Sequence, residues 1–419
     1  MPDAPPTSSL STPDAHQTVG IRALLLSVYL PTLFFAIGQG AVIPVIALRA
    51  VDDLATTVAF AAFVVGLRGI GTMVFDVPAG LLIGRIGERY SLAAASIVLV
   101  GVAAVVAFTT SPWAYAAAIF VMGCALSVWM LARLSYISEK VAVDRRGRAL
   151  SLMGGTQRLG NGIGPVIGGF LGVALGLEYV FWFFAALSMA GSAVMMFSLG
   201  PSEASGSSEE SLYGRLATVV VDHRHIFATA GFASICLQVM RAGRQAIIPL
   251  WGSAIGMDAA EIGLVFTLSS IFDVGLFYPV GVVMDRYGRK WTGIPSMVVL
   301  AVSIVLIPLT DSSTALIAVG VLSGLGNGLG SGINMTLGAD FAPAGNRGEF
   351  LGVWRLVGDI GTAAGPLVVS AITGAATLGI ASVATGGIGL AGAAVFLFFV
   401  PEPLRYQATK RSAARADGP

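Results

Sequence analysis

Charged residues are scarce in this chain. Asp, Glu, Lys and Arg together make up 11% of its 419 residues, whereas soluble domains carry about 25%. So few charges cannot cover a surface that faces water on every side, and the composition therefore excludes an ordinary soluble protein. The formal net charge of +1 also gives no indication of a nucleic-acid partner.

Cysteine and histidine are nearly absent as well. The two cysteines, Cys124 and Cys236, both lie in apolar stretches, where we expect buried thiols without a disulfide. The three histidines lie outside those stretches and form neither a metal-ligand cluster nor part of a Ser/His/Asp set. No Walker A phosphate loop occurs either. We therefore expect no catalytic residues, no metal and no cofactor.

Apolar sequence, in contrast, is abundant. Hydrophobic residues make up 55% of the chain, with 54 glycines, and the mean hydropathy is +0.83. Twelve stretches reach the roughly 20 apolar residues that cross a membrane, and in lipid such long runs predict helices rather than strands. These predicted spans are residues 23–48, 55–83, 91–109, 113–138, 147–175, 178–200, 227–252, 260–283, 292–310, 314–339, 348–374 and 378–400.

One long polar segment divides the spans into two sets of six. Residues 201–226 form a predicted linker between an N-terminal bundle at 21–200 and a C-terminal bundle at 227–401. The polar segments 1–20 and 402–419 are predicted to be tails, and we expect the first to be disordered.

Lysine and arginine are distributed unevenly among the predicted loops. Of the 24 basic residues, seventeen lie on the side of the termini, six lie inside spans and only Arg49 lies on the opposite side. The positive-inside rule makes both tails and the linker cytoplasmic. Richness in Ala, Gly and Val is typical of a high-GC bacterium, so we expect a multi-pass protein of the plasma (inner) membrane.

The two halves repeat each other at an offset of 201 residues. Residues 80–89 after span 2 correspond to 281–290 after span 8, and Gly164-Pro165 corresponds to Gly365-Pro366. Repeated halves with a site between them near the membrane midplane are typical of secondary transporters. The sequence thus predicts an all-α membrane protein of two pseudo-symmetric six-helix bundles.

The repeated loop carries a family resemblance. Its second copy has Gly281, Asp285, Arg286, Gly288, Arg289 and Lys290, and its first copy keeps Gly80, Arg85, Gly87 and Arg89. This spacing resembles the loop motif of the major facilitator superfamily, which implies a twelve-helix transporter of small molecules. The first copy departs from the motif, with Gly84 in place of an aspartate that helps to close the cytoplasmic face in relatives, and Glu88 in place of an arginine.

A second motif lies in span 5. It consists of Gly160, Gly164, Pro165, Gly168 and Gly169. It is similar to the glycine-proline motif of the drug–proton antiporters of the superfamily, which implies export. Physically, the glycines allow close helix packing and the proline bends the helix, so generic packing is the alternative interpretation. The proton-relay arginine that such relatives often carry in span 4 is missing, because Ile119 occupies that position.

Ionisable side chains inside spans are functional candidates, because each costs several kcal/mol unless it is paired or hydrated. At a rise of about 1.5 Å per residue, Asp76 and Arg355 lie at similar depths, about 12 Å from the adjacent loops. Asp273 and Arg158 likewise share a depth of about 18 Å. In the superfamily fold, spans 2 and 11 face each other, as do spans 5 and 8. The resemblance therefore predicts two ion pairs between the halves.

We expect these pairs to be latches that form when the cytoplasmic side is closed. Protonation of either aspartate would remove the attraction and favour opening, so that the proton gradient supplies the energy. Asp359 in span 11 and Arg68 in span 2 are further candidates for proton coupling or gating. The alternative is a pair of permanent structural salt bridges.

Spans 1 and 7 usually line the central cavity in this superfamily. Aromatic residues are a candidate wall for it, and the alternative, which is the commoner role of an aromatic residue in a span, is packing in the core or contact with lipid. The resulting candidates for substrate contact are Gln39, Arg241, Arg244, Gln245, Trp251 and Trp354. Six arginines inside spans outnumber three aspartates, which favours an anionic or neutral amphipathic substrate over a cationic drug.

The leading interpretation is a proton-coupled exporter of small amphipathic molecules, of the multidrug type, acting as a monomer in the lipid bilayer. A transporter of one organic anion or metabolite is the first alternative. A membrane sensor with a transporter fold is the remote alternative, because the linker is too short for the folded soluble domain that a sensor would more often carry.

Overall fold

The computed structural model describes residues 24–141, 143–198, 218–343 and 346–402. Its twelve long helices are α1 (Leu25–Asp53), α2 (58–86), α3 (88–108), α4 (Pro112–Lys140), α5 (Val143–Leu175), α6 (Leu177–Ser198), α7 (Arg224–Ala254), α8 (Ala259–Tyr287), α9 (Lys290–Leu309), α10 (Ser313–Phe341), α11 (Arg347–Ala375) and α12 (Leu378–Phe399). The predicted tail 1–20, the linker up to 217 and the tail from 403 lie outside the described residues.

Ten helical segments of the described residues are long and apolar enough to cross a membrane. One of them, Val58–Phe108, contains two spans, because Gly87 has φ 78° and ψ 164° and turns the chain between α2 and α3. Helix α5 is not among the ten, since its glycines and charged residues lower its hydropathy, yet its 33 residues are long enough to span the bilayer. The predicted twelve-helix fold is confirmed.

Helices α1–α6 and α7–α12 form two bundles. Between the bundles, α2 packs against α11, α5 packs against α8, and α1 contacts α7. The first two of these pairings are the ones that the family resemblance predicted. Residues on these six helices that face the opposite bundle can therefore form a site between the halves.

Helix α5 lies close to α1 because glycines of the span 5 motif face it. A Cβ atom added at Gly160, Gly164 or Gly168 would collide with backbone or side-chain atoms of α1. Gly361 and Gly365 of α11 approach α7 in the same way, 201 residues later. The pseudo-symmetry therefore extends to the close backbone packing inside each bundle.

The two ends of the molecule differ in how closely the halves approach. No residue is exposed in 58–73 of α2 or in 259–270 of α8, whereas exposed residues recur from Val74 and Ile271 onward. We call the closely packed end, with the α1–α2 and α7–α8 loops, the sealed end. The other end carries the loop motifs, and we call it the motif end. The halves are separated there.

Contacts at the sealed end bring backbone against backbone. A Cβ at Gly169 of α5 would lie 2.8 Å from Ala260 Cα of α8, and one at Gly69 of α2 would lie 2.9 Å from Ala363 Cα of α11. At the motif end, in contrast, a Cβ at Gly281 would meet nothing within 4 Å. The structure is thus closed at one end and open at the other.

Helix α10 is interrupted in the middle of its span. The helix stops after Leu329 and resumes at Ile333, and Gly332 between them has φ 79°. A left-handed backbone is readily adopted by glycine and ends the helical hydrogen-bond pattern. The resulting break places backbone groups and Ser331 beside the contact between α5 and α8.

Candidate transport site between the two halves

An ion pair joins α2 and α11 where these helices separate toward the motif end. Arg355 Nη2 lies 3.3 Å from Asp76 Oδ2, and Arg355 Nε lies 3.6 Å from Asp359 Oδ2. Ser127 donates a hydrogen bond to Asp76, and the carboxylates of Asp76 and Asp359 interact electrostatically with each other. We call Asp76, Arg355 and Asp359 the acidic junction, because two carboxylates share one guanidinium.

A second ion pair joins α5 and α8. Arg158 Nη1 lies 3.2 Å from Asp273 Oδ1, and the guanidinium lies over the ring of Phe277 at 4.9 Å. Ser331, in the break of α10, accepts a hydrogen bond from Arg158 and donates one to Asp273, at 2.8 Å and 3.0 Å. The side chains of Arg158 and Asp273 are 30% and 18% exposed, so water from the motif end reaches the pair.

Both ion pairs between the halves were predicted, and the structure brings these residues together. Their conformational state, however, is the opposite of the expected one. We expected latches that form when the motif end is closed, whereas both pairs are formed while it is open. That expectation was wrong because depth along a helix fixes which residues can meet but not which end of the helix pair is in contact. Each pair lies at the point where the close contact between the halves at the sealed end stops.

Two arginines of α7 lie near Asp273 and bond to neutral oxygens. Arg241 Nη2 donates to the carbonyl oxygen of Gly330 at 3.0 Å, and Arg244 Nη1 donates to Ser323 Oγ at 2.8 Å. Among the described residues, neither arginine forms an ion pair, and the Nε atom of each is buried without a hydrogen-bond partner. Both guanidiniums nevertheless interact electrostatically with Asp273.

Glutamine side chains form hydrogen bonds with two further arginines inside the spans. Gln245 of α7 accepts a 2.6 Å hydrogen bond from Arg68 of α2, which links the two halves. Gln39 of α1 accepts a 2.9 Å bond from Gln157 of α5, whose own oxygen accepts from Arg133 at 3.0 Å. The predicted candidates Gln39, Gln245 and Arg68 therefore all bond to polar groups of neighbouring helices.

The two tryptophans predicted to contact substrate lie elsewhere. Trp251 donates a 3.1 Å hydrogen bond to the carbonyl of Thr310 at the sealed end. Trp354 is 3% exposed and donates a 2.8 Å bond to the carbonyl of Asn334. Its ring also packs on Phe350, with centroids 6.2 Å apart. The observed partners of both rings are therefore residues of the second bundle.

The second loop motif is bound to its own bundle. Arg289 is 6% exposed, and it contacts Asp340 Oδ2 at 2.8 Å and Asp285 Oδ1 at 3.2 Å. The Glu402 carboxylate accepts bonds from the backbone N–H groups of Arg289 and Lys290 at 2.7 Å and 3.1 Å, which caps the start of α9. These contacts stabilise the turn between α8 and α9.

The first loop motif makes different contacts. Glu88 stands where the second copy has its buried arginine; it is 3% exposed and accepts a 2.9 Å hydrogen bond from Ser135. Arg89 Nε donates to Met196 Sδ at 3.1 Å, and sulfur is a weak acceptor. Both turns contain a glycine with positive φ, Gly87 at 78° and Gly288 at 110°. The remaining motif residues, Gly80, Arg85, Gly281 and Arg286, lie at or near the surface.

Ser127, Gln157 and Ser331 were missed as site residues. A hydroxyl or amide on an apolar helix gives no sign of which neighbour it faces, so Ser127 and Gln157 left no usable signal. Ser331 did leave one, because the run Gly330-Ser331-Gly332 places two helix-weakening glycines near the middle of a span. Interrupted helices in transporters tend to lie at the binding site.

Both halves of the chain match a known protein family. Residues 28–241 and 230–417 each match the model of the Major Facilitator Superfamily. The chain belongs to this superfamily. It is therefore a multi-pass membrane transporter acting on small molecules, not an enzyme, as the sequence predicted.

Relatives within the superfamily are distant in sequence. Multidrug resistance protein MdtH of Klebsiella pneumoniae (strain 342) is 24% identical over 332 residues, which are 77% of this chain and 80% of MdtH. Inner membrane transport protein YajR of Escherichia coli (strain K12) is 23% identical over 337 residues, 78% of this chain and 72% of YajR.

Solved structures share the fold at lower identity. A POT family transporter in complex with 5-aminolevulinic acid has a TM-score of 0.75 at 11% identity, covering 91% of this chain and 97% of that one. The human organic anion transporter MFSD10 (TETRAN) has a TM-score of 0.65 at 15% identity, covering 90% and 99%. At these identities the likeness establishes the fold alone.

Proposed function

We propose that this chain is a proton-coupled exporter of small amphipathic compounds. In this proposal it works as a monomer in the bacterial inner membrane, with both termini and the motif end in the cytoplasm, as the basic loop residues favour. The structure then represents the inward-open state. The multidrug-resistance name of the MdtH relative and the glycine-proline motif of α5 support export of drug-like compounds.

The observation that carries the proposal is the acidic junction. Asp76 and Asp359 face one guanidinium, so one carboxylate charge is left without a cation in a poorly solvated region. Two neighbouring carboxylates repel each other, and a shared proton relieves that repulsion. Their side chains are 19% and 27% exposed, so protons from the open end reach them. The junction is therefore suited to gain and lose one proton.

The position of the junction connects this proton to the conformational change. The Asp76–Arg355 pair bridges the halves at the inner border of the sealed contact, so the pair must break before the sealed end opens. Once opened to an acidic exterior, the freed carboxylates take up a proton. On return to the inward-open state, renewed pairing with Arg355 favours the charged form and releases the proton to the cytoplasm.

Transport of one organic anion or metabolite is the second candidate. The surplus of arginines in the middle of the spans favours it, because an unpaired cation in the membrane is costly and an anionic substrate would compensate it. The two candidates share the proton step and differ in the range of substrates.

The test uses the purified full-length chain in proteoliposomes with an acidic lumen. Fluorescein, Nile red, rhodamine 123 and ethidium supply anionic, neutral and cationic amphipathic probes, and a pH dye reports protons leaving the lumen. We expect at least one probe to accumulate while protons leave. Asp359→Asn should abolish accumulation driven by the pH gradient, yet retain exchange of internal for external probe without a gradient.

Asp311→Asn is the matched control, since Asp311 is exposed in the loop between α9 and α10, and it should leave both activities intact. Probe movement without proton release, or full gradient-driven accumulation by both Asp359→Asn and Asp76→Asn, would sink the proposal. Movement of a single anionic probe among the four would favour the narrow anion carrier.

A further inference from the structure

Three arginines lie around Asp273, the aspartate of the ion pair between α5 and α8. Arg158 pairs with Asp273 at 3.2 Å, and Arg241 interacts electrostatically with Asp273, Arg158 and Arg244. Formally, three guanidiniums face one carboxylate, which leaves two positive charges in excess. We call Arg158, Arg241 and Arg244 the arginine cluster.

The partners of the cluster do not compensate this charge. Arg241 bonds to the carbonyl of Gly330 and to the Gln238 amide oxygen at 3.0 Å and 3.2 Å. Arg244 bonds to the hydroxyls of Ser323 and Ser269 at 2.8 Å and 3.4 Å. Neutral dipoles stabilise a guanidinium less than a carboxylate does, and charge-assisted bonds are about twice as strong.

Unused hydrogen-bond donors point to the same conclusion. The Nε atoms of Arg241 and Arg244 are buried and make no hydrogen bond within the described residues. An unmet donor on a buried charged group costs more free energy than one on a neutral group. Such a cost persists in a folded protein when another partner supplies the missing interaction for part of the time.

The cluster is reached from the open motif end. Beyond residue 270, α8 is exposed at most positions, and the Arg158 side chain is itself 30% exposed. The break in α10 brings Ser331 and the carbonyl of Gly330 to the cluster. A molecule that enters between the halves therefore meets Arg158, the exposed member of the cluster, before it meets the sealed end.

The geometry points to the arginine cluster as the binding site for an oxyanion of the transported molecule, a carboxylate or a group of similar charge and shape. Guanidinium is the side-chain group that best matches the two oxygens of a carboxylate. This inference rests on the proposed transport function and names its substrate class, an amphipathic organic anion whose apolar part lies between the halves.

Binding there also explains how a substrate would drive the conformational change. An incoming carboxylate competes with Asp273 for Arg158, and therefore weakens the ion pair that joins α5 to α8. Loss of that pair removes one of the two ionic contacts at the inner border of the sealed end. The substrate thus loosens one junction while the proton acts at the other.

The test measures equilibrium binding to the purified full-length chain in detergent, without any gradient. Fluorescein and rhodamine 123 share a xanthene core and carry opposite charges, and fluorescence anisotropy reports their binding. We expect fluorescein to bind more tightly than rhodamine 123. Arg241→Gln and Arg244→Gln should each weaken fluorescein at least tenfold, while Arg241→Lys and Arg244→Lys, which keep the charge but lose the two-pronged geometry, should weaken it less.

Arg224→Gln is the matched control, because Arg224 is an exposed arginine at the start of the same helix α7, about 25 Å along the helix from Arg241. It should change fluorescein affinity less than twofold, and thermal unfolding of every variant verifies folding. Unchanged fluorescein affinity in both folded glutamine variants, or tighter binding of rhodamine 123 than of fluorescein, would overturn the inference. Neither result bears on proton coupling, which the vesicle experiment measures separately.

Discussion

The α2–α11 and α5–α8 junctions occupy related positions in the two halves, and each joins an aspartate to an arginine. Subtracting 201 from Asp273 gives position 72, one helical turn from Asp76, and subtracting 201 from Arg355 gives position 154, one turn from Arg158. The two ion pairs have nearly equal lengths, 3.3 Å and 3.2 Å. The positions of these charged residues thus follow the 201-residue repeat to within one helical turn.

The charges around these pairs differ. Asp359 adds a second carboxylate to the α2–α11 junction, whereas Arg241 and Arg244 add two guanidiniums beside the α5–α8 junction. Packing in the bilayer requires both halves to keep similar helices, but it places no such requirement on buried charges. The two junctions are therefore free to take up different ligands, a proton at one and an anion at the other.

The largest difference should appear when each junction loses its arginine. Arg355→Gln leaves two adjacent carboxylates without a cation, so we expect a loss on the order of 3 kcal/mol in the free energy of unfolding at pH 8. Arg158→Gln leaves Asp273 near Arg241 and Arg244, and should cost about 1 kcal/mol. Thermal unfolding in detergent at pH 5 and pH 8 measures both variants.

The pH dependence gives the sharper comparison. In Arg355→Gln the folded state holds its carboxyl protons more tightly than the unfolded state does, so stability is present at low pH and lost as pH rises. The stability of Arg355→Gln should therefore recover at pH 5, and the stability of Arg158→Gln should not. Equal losses in the two variants, without recovery of either at pH 5, would show that the junctions do not differ in the proposed way.

The two loop motifs allow the same comparison at the membrane surface. Arg289→Gln removes the contacts with Asp340, Asp285 and the carbonyl of Met284, and should lower stability by about 2 kcal/mol. Arg89→Gln loses a contact with the sulfur of Met196 and should cost under about 0.5 kcal/mol. A chemical or thermal unfolding series measures the pair, and a larger loss in Arg89→Gln would contradict the contrast.

Backbone packing should show no difference between the halves, so this comparison has the smallest predicted difference in stability between its two variants. Gly164→Ala in α5 and Gly365→Ala in α11 each push a methyl group against a neighbouring helix, so each should cost about 1 to 2 kcal/mol. Gly281→Ala is the control, because its methyl group meets nothing within 4 Å; it should be neutral or slightly stabilising. Strongly unequal losses of stability in Gly164→Ala and Gly365→Ala would show that the packing is not symmetric.

The fold was predictable because hydrophobic length and the 201-residue repeat determine it almost completely. The ion pairs between the halves were predictable for a related reason, since a helix is a rod of known rise and the family resemblance named the facing helices. The break in α10 was accessible in principle from Gly330-Ser331-Gly332, because glycines weaken a helix wherever they occur.

The rest required coordinates. Rotation of a helix decides whether a tryptophan faces a cavity or a neighbour, and hydropathy does not report it, so the positions of Trp251 and Trp354 differed from expectation. The open end was unpredictable for another reason. The same side chains build both end states of a transporter, and one amino-acid sequence therefore encodes both conformations.

The backbone contacts at the sealed end have a consequence for the insulation of the membrane. Where Gly169 and Gly263 bring α5 and α8 together, backbone lies so close to backbone that an added methyl group would collide, and water does not fit between the two helices at that point. Protons move along continuous files of water molecules, and any file through a resting carrier would discharge the gradient without moving cargo. Under the proposed proton coupling, the small residues of this contact would limit such a leak, and a bulkier side chain there would raise it even in a chain that folds normally.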